Sequence, residues 1–181
     1  MIYRAAGLIE LLTTLTIMAM ALLFFSPVLF QWQDTLKLQQ EVNLLKSFLY
    51  QVQAHSHYKQ KDYLLFLHQD LSLKRWCAVA IVKTSLKSPP CNCLIDSACH
   101  QSAESLHYRA SFPSIILRSR DLYPSVFLTI NARGTLDSRC LKLTLNQVSQ
   151  ILQTNSLGVI NVAQQNKRTQ CQYSLSRIEL G

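Results

Sequence analysis

The sequence predicts an α+β protein, a long N-terminal helix that spans a membrane followed by an antiparallel β-sheet domain. Three observations predict it. No Asp, Glu, Lys, Arg or His occurs from Leu11 to Gln33. Apolar residues then recur at helical spacing as far as Val52. From Tyr63 onward, short runs rich in β-branched and aromatic residues alternate with turn signals.

Length and composition narrow the class before any element is placed. The chain has 181 residues, 49% hydrophobic and 15% charged, a balance foreign to intrinsically disordered chains, which carry few hydrophobes and much charge. Only four glycines occur, Gly7, Gly134, Gly158 and Gly181, so no glycine-rich phosphate cradle can be written and nucleotide chemistry is not expected.

The uncharged run at 11–33 has the length of a membrane-spanning helix, which needs about 20 residues. Glu10 stands at its head, where an unpaired carboxylate in lipid asks for a partner. Beyond it, Leu38, Val42, Leu45, Leu49 and Val52 step by alternating fours and threes, an apolar seam with Gln, Asn, Glu and Lys on the other faces. One helix over 6–57 would be roughly 78 Å long, and its second half needs a domain to lie against. Pro27 lacks a backbone N–H and predicts a kink. His55 and His57 do not share a helix face, so they read as solvated rather than as a metal pair.

Residues 58–181 read as the sheet domain, with strands expected at Tyr63–Leu67, Trp76–Lys83, Ser114–Leu117, Val126–Asn131, Cys140–Leu145, Gln150–Gln153 and Val159–Ala163. Pro89 and Pro90, three cysteines and few apolar clusters make 84–110 an irregular excursion held by disulfides. The six cysteines, Cys77, Cys91, Cys93, Cys99, Cys140 and Cys171, all follow the helix, and their even number suits disulfides in an oxidising compartment. Cys140 with Cys171 is the pairing that would pin the C-terminal segment to the sheet. A zinc site is disfavoured, because the Cys91-x-Cys93 spacing is too short and a second ligand pair is missing.

The formal charge is +8, and the C-terminal part is the basic part. Arg133, Arg139, Lys167 and Arg168 are the candidate DNA contacts, although no aromatic ladder interleaves them. No nucleophile elbow, zincin motif or Cys-His signature occurs, and Asp62, Asp70 and His68 read as surface groups near strand ends. The chain is not expected to be an enzyme or to hold a cofactor or metal.

Ala5-Ala6-Gly7-Leu8-Ile9-Glu10-Leu11-Leu12 resembles the class III signal of type IV prepilins, in which a short basic leader is removed and an acid is the fifth residue of the mature chain. The resemblance implies a leader over 1–5, cleavage by a prepilin peptidase between Ala5 and Ala6, N-methylation at Ala6, and a register role for Glu10 against the new terminal amine of a neighbouring subunit. A second landmark of pilins, a helix-kinking proline, falls at Pro27. The runs Val126–Gly134, Cys140–Leu143 and Gln150–Ile160 are similar to the FimT and GspH group of minor pilins and pseudopilins. DNA-binding members of that group carry basic residues directly after the hairpin glycine, where this chain has Val159 and Asn161.

The resemblance implies a minor pilin of a type IV pilus that primes or caps pilus assembly, with DNA uptake as a further role. The alternatives are a type II secretion pseudopilin and a membrane-anchored DNA receptor. Other pilins, the prepilin peptidase, the inner membrane and DNA are the implied partners. The implied location is a single-pass inner-membrane anchor with a periplasmic domain, reaching the pilus or cell surface after assembly.

Overall fold

The computed structural model describes residues 3–84, 92–95 and 104–164. One helix, α1 (Tyr3–Lys59), precedes eight strands: β1 (Tyr63–Asp70), β2 (Arg75–Val82), β3 (Leu106–Arg109), β4 (Ile116–Arg118), β5 (Leu128–Ile130), β6 (Cys140–Leu145), β7 (Val148–Thr154) and β8 (Ile160–Gln164). The helix is continuous through position 27.

The strands form two four-stranded sheets, ordered β3-β2-β1-β5 and β4-β6-β7-β8, with antiparallel pairing throughout. Chain order and sheet order differ, because β4 joins the second sheet before β5 returns to the first. Leu38, Val42, Leu45, Leu49 and Val52 are all buried, and they join Leu65, Leu67, Trp76, Leu128, Leu141, Leu143 and Leu152 from both sheets in one core. The seam of α1 therefore supplies the apolar wall that neither sheet has by itself. Alternation along β6 shows this directly: Leu141, Leu143 and Leu145 are buried while Lys142 and Thr144 between them are partly exposed.

Helix α1 ends through local bonding. Gln60 takes a positive φ of 54°, the Ser56 hydroxyl donates to Lys61 O at 2.7 Å, and Lys61 N donates back to Ser56 O at 3.2 Å.

The membrane span expected at 11–33 is corrected by the structure. Among the described residues no helix is long and apolar enough to cross a membrane, which overturns the transmembrane part of the fold class and the single-pass inner-membrane location. The physical reason lies at the end of the stretch, where the helix is already at the domain: Gln31 Nε2 donates to Gln147 Oε1 at 3.3 Å, and Asn146 Nδ2 to Asp34 Oδ2 at 2.6 Å, both in the β6–β7 turn.

Two further expectations change. β3 lies inside the stretch read as an irregular excursion, because Leu-His-Tyr-Arg alternates partly buried with exposed positions and completes the edge of the first sheet. His68, read as a surface group, is only 2% exposed. It faces Cys77 across the β1–β2 ladder, and its ring lies 4.0 Å from that of Tyr123.

The seam also buries an acid. Glu41 has 0% exposure, with Oε1 accepting from the Tyr108 hydroxyl at 2.7 Å and Ser111 N at 3.2 Å, and Oε2 from Phe112 N at 3.1 Å. Burial first, then the hydrogen bond to Glu41 and its charge, raise the Tyr108 hydroxyl above the ordinary tyrosine value. Folding thus tightens the hold on this proton. The resulting stability is complete below pH 10.0, the ordinary value, and is lost as the pH climbs through the raised one.

Replacing Glu41 by Ala leaves three donors facing an apolar site and should cost about 3 kcal/mol in urea denaturation, with Glu41→Gln costing less. Above pH 10.0 the urea midpoint of the wild type should fall more steeply than that of Tyr108→Phe, and parallel declines would show that this hydroxyl does not carry the effect.

Candidate assembly surface and the loop node at the helix end

The most unusual surface is the first half of α1. Ile9, Leu11, Leu12, Leu15, Ile17, Met18, Met20, Leu22 and Leu23 are each more than half exposed, and Phe30 and Trp32 extend the series. These positions cover every side of the helix, since successive residues turn by about 100°. A helix apolar all round is stable where other apolar surface encloses it, and among the described residues the core that joins helix and sheets takes its helix members from Leu38 to Val52. The hydroxyls of Thr13, Thr14 and Thr16 bond back to Glu10 O, Leu11 O and Thr13 O, which removes their demand for outside partners.

Glu10 is exposed on this surface. Every other described carboxylate accepts a bond from within the chain. Asp34 takes Asn146, Glu41 takes its three donors, and Asp62 takes Ala132 N. Asp70 takes Ser72 N and Leu73 N, Glu104 takes Lys61, Asp121 takes Arg139, and Asp137 takes Thr129 N. Glu10 alone among the described acids is left without a side-chain partner. Ala5, Ala6 and Pro27 lie in the helix, but their side chains fall outside the described residues.

The far end of α1 holds a polar node. Gln53 Nε2 donates to Gly134 O at 2.5 Å and to Gly158 O at 3.2 Å, so one amide from the helix ties down two turns more than twenty residues apart. Both glycines have positive φ, 81° and 83°. A Cβ at Gly158 would lie 2.5 Å from Gly134 O and 2.6 Å from Gln53 Nε2, so only glycine fits there. Around this node Asn155 Oδ1 accepts from Leu157 N and Val159 N, and His57 Nδ1 lies 3.2 Å from Ala132 O.

The four candidate DNA contacts are not gathered into one described patch. Arg133 is exposed on the turn beside the node, whereas Arg139 Nη1 is committed to Asp121 Oδ2 at 2.6 Å. Lys167 and Arg168 lie outside the described residues. Lys61 and Glu104 pair at 2.7 Å; their mutual hydrogen bond raises the lysine and lowers the glutamate, and both stay too exposed for the pair to add much stability.

Cys77 is bonded to Cys93, joining the stretch after β2 back to the first sheet. Cys140 is also disulfide-bonded. Cys91, Cys99 and Cys171 lie outside the described residues. Among the described residues no group of His, Cys, Asp and Glu could hold a metal ion.

Glu41 and Gln53 were not singled out in the sequence, although their spacing carried a signal. Glu41 lies three residues after Leu38, on the seam itself, and an acid on a buried helix face demands donors.

Gly158→Ala should destabilise the domain by about 2 kcal/mol, and Gln53→Ala by about 1 kcal/mol, in urea denaturation of the full chain. The double substitution should cost less than the sum, because both act on the same contact.

The chain is similar to an uncharacterized protein of Haemophilus influenzae, 28% identical over 164 residues that cover 88% of this chain and 93% of that one. No protein-family model and no solved structure matches it.

Proposed function

We propose that this chain is a minor pilin of a type IV pilus that primes pilus assembly. A prepilin peptidase removes residues 1–5, Ala6 becomes the methylated N-terminus, and the first half of α1 packs among the helices of other pilins. The observation that carries the reading is the apolar surface encircling α1 from Ile9 to Leu23 while the second half of the same helix is sealed into a folded domain. Such a chain has a finished head and an unfinished stem. Its stem needs neighbours of the same kind, and helices packed in parallel are neighbours that can enclose it.

Glu10 gives that packing a register. Enclosed by apolar helices, its carboxylate would be costly without a cation, and the ammonium that cleavage creates at Ala6 of an adjoining subunit supplies one. Only one axial offset brings the two together, so a general attraction between apolar rods becomes a specific arrangement.

Co-expression with a prepilin peptidase should lower the mass of the chain by the first five residues, and a chain that stays uncut would remove the reading. Glu10→Ala should sharply reduce incorporation into pili while leaving the urea midpoint of the domain within about 0.5 kcal/mol of the wild type. Pili with a normal content of the substituted chain would exclude the register role.

A further inference from the structure

The exposed stem says that neighbours exist; the charge of the surface says of what kind. The chain carries 18 Lys and Arg against 10 Asp and Glu. Of the acids that the structure describes, all but Glu10 accept hydrogen bonds from the chain's own groups. The cations are treated differently. Lys37, Lys74, Arg75, Lys83, Arg120 and Arg133 are exposed and form no ion pair with a described residue. The described carboxylates other than Glu10 are engaged within the chain, whereas these six cations face outward.

These six are spread over the molecule. Lys37 is on α1, Lys74 and Arg75 at the β1–β2 turn, Lys83 after β2, Arg120 after β4 and Arg133 after β5. A nucleic acid follows a continuous track of cations, usually with aromatic side chains between them, and this scatter gives none. It does suit a subunit enclosed by other subunits on several sides. A neighbour identical to this one would bring a second surface of the same sign, with few free carboxylates to answer it.

We infer that the chains which enclose the α1 stem are acidic pilin-like subunits distinct from this one, and that like-charge repulsion keeps this chain from polymerising with itself. The inference rests on the assembly reading above and specifies its partner. Apolar packing supplies the attraction, and charge selects which helix-bearing chain is admitted.

A charge-reversed copy of the chain serves as a defined acidic partner. Replacing the six cations, as Lys37→Glu, Lys74→Glu, Arg75→Glu, Lys83→Glu, Arg120→Glu and Arg133→Glu, shifts the formal charge by two each, from +8 to −4. Chains already cut by a prepilin peptidase and labelled at the C-terminus are brought out of detergent by dilution, and association is read as energy transfer between labels. At low salt the mixture of wild type and reversed chain should associate roughly tenfold more tightly than the wild type with itself, and about 0.5 M salt should erase the difference. A second variant with Gln at the same six positions should self-associate at low salt about as well as the mixture. This keeps the test decisive if the Glu variant misfolds.

Wild-type self-association as tight as the mixture at low salt would overturn the charge inference and leave the assembly reading standing. No energy transfer in any pairing at any salt would overturn the assembly reading and this inference together. Tight binding of a short DNA duplex by the wild type, lost in the Gln variant, with no preference for the mixed pairing, would assign the cations to nucleic acid and overturn the inference.

Discussion

A carboxylate with no exposure, held by a tyrosine hydroxyl and two backbone N–H groups, fixes how this molecule is put together. Glu41 lies on the seam of α1, and its donors come from β3 and the segment after it. Apolar packing alone would let the helix slide or roll against the sheets at modest cost, since Leu and Val side chains on a smooth seam have several comparable arrangements. A buried charge permits one, because any shift strands it. Gln53 repeats the principle three turns later with two carbonyls. Between these points the helix is keyed to both sheets, and the strand order that crosses between sheets is bound to the same rod.

That keying divides the helix into two chemically different halves. From Leu38 to Val52 apolar residues occupy one stripe, and the domain covers it. From Ile9 to Leu23 they occupy every side, and nothing among the described residues covers them. Polar residues mark the boundary at Gln31 and Asp34, where the β6–β7 turn reaches the helix. The contrast between stripe and sleeve divides a single element into a half that the domain buries and a half that stays exposed.

Much of this was legible in the sequence, for identifiable reasons. The seam is readable because helical periodicity survives any tertiary context that buries one face, and the strands because short apolar runs end at turn residues. Gly134 and Gly158 were visible as turns, yet their meeting on Gln53 was not, since periodicity says nothing about which turns approach each other in space. β3 was missed because four residues with only Leu and Tyr facing inward give almost no signal until β2 provides an edge. Freedom from charge over 11–33 suggests a membrane span, whereas Gln31 at its end is engaged by the folded domain. His68 was misplaced for a related reason: a polar residue near a strand end looks solvated until Tyr123 is known to cover it.

The continuity of α1 has a geometrical consequence. With no linker between stem and head, the rotation of the stem about its axis sets the compass bearing of the sheets. Adding one residue between Leu23 and Leu38 would swing the head by about 100° while lifting it by only about 1.5 Å. Helix length here thus works like the phase of a screw, deciding which sheet looks outward. Only insertions that complete whole turns would return the head to its original heading.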